Sequence, residues 1–204
     1  SPADQQVLEP GTADQQLAKA IDRAAALISQ RRPMSEVARA FGEISRIASD
    51  LSYPLNIGPS DPREASIRAD FARYVEAKLP RMSVTFSGFA CSELARDDVP
   101  GFARSAGQTA RRDYDAVMRS YFPKGRERLP QDFDERSIAF AAASLGVSNA
   151  VTTTARAWLY AWHKAHGDMA GVALLPSSAH SRPFDPIPAA GSGGQDSPKG
   201  RSNP

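Results

Sequence analysis

Residues 35–56 read SEVARAFGEISRIASDLSYPLN, and the spacing of their apolar side chains decides the fold class. Val37, Phe41, Ile44, Ala48 and Leu51 recur at steps of three and four, which places them on one face of an α-helix. The stripe opens after Ser35 and stops at Pro54, whose ring removes a backbone donor. Arg46 and Asp50 stand four apart on this helix, and Leu55 and Asn56 follow the break.

The same period continues outward in both directions. Leu17, Ile21, Ala25 and Ile28 form a stripe after Asp14, a suitable cap, and before Pro33. A third helix is predicted from near Pro62, presenting Ile67, Phe71, Val75 and Leu79 before Pro80. A fourth runs from about Val99 to Tyr121, with Phe102, Ala106, Ala110, Tyr114 and Val117 on one face. The last is predicted from about Asp132 to His166, with Gly167 as its stop. Its stretch IAFAAASLGVSNAV, residues 138–151, is nearly all apolar, as expected of a central helix packed on several sides. Only MSVTF, residues 82–86, alternates like a strand; it is short and isolated and reads as an extended linker. The expectation is an all-α bundle of about five helices, residues 13–173. Residues 1–12 are expected to be a flexible leader and residues 174–204, rich in Pro, Gly and Ser, a disordered tail in which Phe184 and Ile187 offer local docking points.

Composition narrows the function classes. There are 25 Lys and Arg against 23 Asp and Glu, so the net charge of +2 gives no field for gathering nucleic acid. Cys91 is the single cysteine, which excludes an intramolecular disulfide and a thiolate metal cluster within the chain, and reads as a small, partly buried apolar residue. No uninterrupted run of about 18 apolar residues is present, so no transmembrane segment is expected. The chain begins at Ser1 instead of a methionine, which fits a processed or excised form; the expectation is an exported protein, secreted or periplasmic.

The segment from Phe41 to Asn56 resembles part of the metal site of the zinc-dependent phospholipase C family and its single-strand-specific nuclease relatives. These proteins are all-helical and hold three zinc ions in a cleft between helices. The resemblance implies an H-x-x-x-D helix followed by P-L-H; here those positions are Arg46, Asp50, Pro54, Leu55 and Asn56. The family's next helix carries a His and a Glu four apart, which fall on Arg68 and Ala72, or on Asp70 and Tyr74 if the loop is longer. Arg136, Ser137, Ala139 and Phe140, then Thr154, Ala155, Arg156, Trp158 and Leu159, resemble the R-S-x-A-F and T-A-R-x-W-L stretches of bacterial members. The likeness spans about Asp14 to Gly171, and no histidine precedes Arg46 to supply the family's upstream ligands.

A catalytic zinc needs lone-pair donors and an open position for water, and a guanidinium, always protonated, supplies none. The leading reading is therefore a degenerate, non-catalytic relative of these phosphoesterases, with no cofactor and with Asp50 as the one retained metal-site residue. Arg46 and Arg68 are expected to replace the field of the ions, with Asp50 paired to at least one of them inside the bundle. A rival reading makes Arg46, Asp50, Asn56 and Arg68 a ligand-binding site for a phosphate-containing small molecule or a lipid headgroup. The remaining alternative is a zinc hydrolase of phosphodiester or phospholipid bonds whose other ligands lie outside this segment.

Other candidates are weaker. His163, His166 and Asp168 lie at a helix end and read as surface or capping groups, and His180 falls in the tail. Trp158, Tyr160 and Trp162, at steps of two, cannot share one face and read as packing residues. Ser137, Ser144 and Ser148 lack a neighbouring His and acid, and no G-x-S-x-G elbow or Gly-rich phosphate loop occurs.

Overall fold

Apolar stripes of this kind hide from water only against one another, and the helices accordingly pack as a bundle. The computed structural model describes residues 10–57, 61–123 and 133–168. These form α1 (Pro10–Ser29), α2 (Met34–Ser52), the single turn α3 (Pro54–Ile57), α4 (Glu64–Lys78), a 3₁₀ turn (Leu79–Arg81), the short α5 (Ser92–Ala95), α6 (Val99–Tyr121) and α7 (Ile138–Lys164). The fold is all-α, with no strand among the described residues, and its five long helices are those the periodicity predicts. Residues 1–9 and 169–204, including His180, Phe184 and Ile187, lie outside the described residues.

Helix boundaries differ from the sequence expectation where local chemistry intervenes. α1 starts at Pro10, inside the expected leader, and Asp14 lies within the helix instead of capping it. Proline suits a first turn, where its missing N–H has no partner to lose. α7 begins at Ile138 and not near Asp132, because residues 134–137 are held in a turn. The Ser137 amide and hydroxyl both donate to the Asp134 carbonyl, at 3.1 and 2.6 Å. Ser137 then caps α7 by accepting from the Phe140 amide at 3.1 Å. α6 starts at Val99 as predicted, with Asp98 accepting from the Gly101 amide at 2.8 Å.

Two apolar clusters share α7 as their common wall. Leu17, Ile21, Ile44, Ile47, Leu51 and Phe102 pack with Ala157 and Ala161 at one end. At the other, Leu55, Ile67, Phe71, Val117, Tyr121 and Phe133 pack with Ala139, Ala142 and Ala143. α7 touches α1, α2, α4 and α6, which makes it the central helix. It is the one helix among the described residues long and apolar enough to cross a membrane, and here its small residues let neighbouring helices approach closely. Its larger apolar side chains, Ile138, Leu145, Val151 and Trp158, are exposed.

Residues 83–90 form the extended linker expected from MSVTF. The Thr85 amide donates to Ser148 Oγ at 3.1 Å, and the Ser87 amide to Thr152 Oγ1 at 3.2 Å. Arg156 Nε donates to the Gly88 carbonyl at 2.8 Å. Ser148, Thr152 and Arg156 recur at steps of four along α7, so one polar edge of the helix fastens the linker.

Candidate functional site

Arg46 and Asp50 face each other one turn apart on α2, with Nη1 to Oδ2 at 2.9 Å. This pair lies at the surface and not inside the bundle: 59% of the Arg46 side chain and 27% of that of Asp50 are exposed. Partial burial raises the Asp50 carboxyl above its ordinary 3.8, and the Arg46 charge and hydrogen bond offset this only in part. Asn56, brought back by the Pro54 break, donates from Nδ2 to the Asp50 backbone carbonyl at 3.3 Å.

Of the two arginines, Arg46 is the one that pairs with Asp50, and Arg68 turns elsewhere. Its guanidinium pairs with Glu64, one turn earlier on α4, and not with Asp50. Nη1 also donates to Asn56 Oδ1 at 2.6 Å, and Nη2 to the Leu55 carbonyl at 2.6 Å. Glu64 Oε2 accepts from the Tyr114 hydroxyl of α6 at 3.1 Å. Burial and this carboxylate push the Tyr114 phenol up to about 12. The network ties α3, α4 and α6 together at a point where Glu64 is 7% exposed. Sequence reading passed over Glu64, although its i, i+4 relation to Arg68, with the acid first, is the signal that would have found it.

Of the four residues expected to form a site, then, Arg46 and Asp50 make one pair, and Arg68 and Asn56 belong to a second network joined to the first through the Asp50 carbonyl. In the alternative alignment, Tyr74 packs with Phe71 and Phe133 in the core, and Asp70 Oδ2 accepts from Tyr121 at 2.8 Å. Burial, and then that carboxylate, push the Tyr121 phenol far up.

Beside these pairs lies an apolar groove of about 520 Å³ between α2, α4 and α7. Tyr53, Pro54, Phe71, Val75 and Leu79 line one wall, and α7, from Ala143 to Trp158, lines the other. Gly146 of α7 has the Ser52 carbonyl 3.5 Å from where a Cβ would stand, so this glycine sets how closely α7 approaches the α2–α3 corner. Trp158 closes one end, stacked on Phe41 with centroids 5.3 Å apart, its Nε1 donating to the Phe41 carbonyl at 3.0 Å. Tyr160 and Trp162 turn to other partners, as steps of two require: Tyr160 donates to Asp97, and Trp162 Nε1 to the Asp168 carbonyl at 3.0 Å. The groove escaped sequence reading because its two walls come from helices far apart in the chain.

The other nucleophile and ligand candidates are placed unambiguously. The Cys91 thiol donates to Glu93 Oε2 at 3.4 Å, and burial raises its pKa, the opposite of what an activated nucleophile needs. His163 and His166 are exposed at the end of α7. Among the described residues, no three of His, Cys, Asp and Glu converge in a way that would hold a metal ion.

No family model, curated protein or solved structure matches this chain. The donor set at the family positions does not fit the zinc cluster that the motif resemblance implies. Two guanidiniums and an amide stand there, and the one carboxylate side chain retained is already paired with Arg46.

Proposed function

We propose that this chain is a non-catalytic relative of the zinc-dependent phospholipase C and single-strand nuclease phosphoesterases, a helical domain that works by binding or scaffolding. The observation that carries this reading is the closed network around Arg68. A guanidinium with donors on Glu64, Asn56 and the Leu55 carbonyl would repel a divalent ion, and both Glu64 oxygens already accept hydrogen bonds. The same engagement weighs against the phosphate-pocket reading, because an anion would have to displace internal acceptors from Arg68. Arg46, already matched to Asp50, offers it little net charge.

Metal analysis and activity measurement test the proposal together. Purified protein is expected to carry far less than one zinc per chain and to leave a phosphodiester and a phosphatidylcholine substrate uncut after incubation with zinc. Its melting temperature is expected not to move with chelator or inorganic phosphate. Near-stoichiometric zinc with hydrolysis abolished by a chelator would replace this reading with the hydrolase one. A rise in melting temperature with phosphate, lost in Arg68→Met, would replace it with the anion pocket.

A further inference from the structure

The polar side chains of α7 mark a second cavity. From Ile138 to Trp162 this helix carries one charged side chain, Arg156, and one amide, Asn149. They stand seven residues apart, so with Thr152 and Thr153 between them they share one face of the helix. That face lines a cavity of about 250 Å³ between α7, α6, α5 and the linker. Ser105 and Thr109 of α6 and Glu93 of α5 also line it, with apolar lining from Phe102 and Ala106. The cavity shares no residue with the apolar groove or with the network around Arg68. Asn149 is half-buried, and its amide has no hydrogen-bond partner among the described residues. Withdrawing such a group from water gains nothing for the fold, whereas a ligand can use its donors and its acceptor.

The two charges at this cavity are each held in place, but not by each other. Arg156 donates from Nε to the Gly88 carbonyl at 2.8 Å and from Nη2 to the Ser87 carbonyl at 3.3 Å, and Nη1 keeps its donors free among the described residues. Glu93 Oε2 accepts from the Ser92 hydroxyl at 2.9 Å and from the Cys91 thiol at 3.4 Å. Its own backbone amide, then these donors, hold its carboxyl below the ordinary 4.5, so it is ionised at neutral pH. Neither Arg156 nor Glu93 is ion-paired among the described residues. A fixed cation and a fixed anion that line one cavity without pairing are complementary to a molecule carrying both signs. A simple anion would meet Glu93, and a simple cation would meet Arg156. The volume holds about eight water molecules at about 30 Å³ each, which suits a molecule of amino-acid size. We infer that this cavity binds a small zwitterion of the free amino acid class, its carboxylate on Arg156 and Asn149 and its ammonium towards Glu93. The inference is independent of whether the arginine network excludes zinc, because the two places share no residue.

Calorimetric titration of the full chain with glycine, serine, threonine, asparagine and glutamine, each at millimolar concentration, tests this. At least one of them is expected to bind saturably and one to one. Acetate and methylammonium, which carry one of the two charges each, are expected to bind at least about tenfold more weakly. Asn149→Ala removes an amide that no internal hydrogen bond uses, and should weaken the amino acid about tenfold or more with helical circular dichroism unchanged. Glu93→Gln keeps the shape and removes the charge, and should abolish the preference for the zwitterion over acetate. A second measurement needs no variant. Cys91, the single cysteine, lines the cavity, so the amino acid that binds should slow its alkylation by a thiol reagent. Absence of saturable binding by every amino acid tried, equal binding of acetate, binding indifferent to both substitutions, or an unchanged alkylation rate would each overturn the inference.

Discussion

Replacing Arg68 by Met tests whether this arginine is structural. The side chain keeps its aliphatic stem and loses the guanidinium, which leaves Glu64, 7% exposed, as a charge without its partner. An exposed ion pair contributes about 0–1 kcal/mol, whereas breaking a buried one costs about 3–5 kcal/mol. With side-chain exposures of 19% for Arg68 and 9% for Glu64, this pair stands near the buried limit. At about 2–4 °C per kcal/mol for a chain of this size, the melting temperature should fall by about 6–20 °C. Glu64→Leu should cost a similar amount, since it strands the guanidinium and removes the acceptor of the Tyr114 hydroxyl. The double variant removes both charges, and its cost should be smaller than the sum of the two single costs by about 0.5–3 kcal/mol. Urea unfolding of the four proteins measures this coupling. Additive effects below about 1 kcal/mol each would mean that the network behaves as a solvated surface pair, and the structural account of Arg68 would fail.

Arg46→Ala should cost less than about 1 kcal/mol, because its pair with Asp50 is largely solvated; a loss comparable to that of Arg68→Met would contradict the exposure of that pair. Asp50 has a raised folded-state pKa, so the folded protein holds this proton more tightly than the unfolded chain does. Its contribution to stability is complete below 3.8 and is lost as pH rises through the folded value. Asp50→Asn should flatten that part of a denaturant-derived stability profile, and an unchanged slope would argue against the shift. Gly101→Ala should lower stability by about 0.5–2 kcal/mol, the usual cost of losing an N-cap, because its Cβ would fall 2.0 Å from Asp98 Oδ2. Gly42→Ala, in open space on α2, should instead raise thermal stability by about 0.4–1 kcal/mol.

The helices and their inward faces were legible from local spacing, because the 3.6-residue period is a property of the chain itself. The stripe through Val37, Ile44 and Leu51 and the stop at Pro54 needed no knowledge of neighbours. Nor did the Arg46–Asp50 pair, which lies within one turn of one helix. The start of α7 was misplaced because a turn from Asp134 to Ser137 holds its own hydrogen bonds ahead of the cap. The Glu64–Arg68 pair was open to the same local reading and was passed over, whereas only the packing of α3 and α6 against α4 could bring Asn56, the Leu55 carbonyl and Tyr114 to the same point. The groove, too, belongs to the tertiary structure: its walls lie about 90 residues apart in sequence, between Ser52 and Ala143, and they meet because small side chains on α7 admit α2 and α4. Sequence by itself determined which faces turn inward and which charges lie one turn apart; packing decided which groups of other helices join those pairs and where an apolar surface stays open, since both depend on distances between helices that no local pattern encodes.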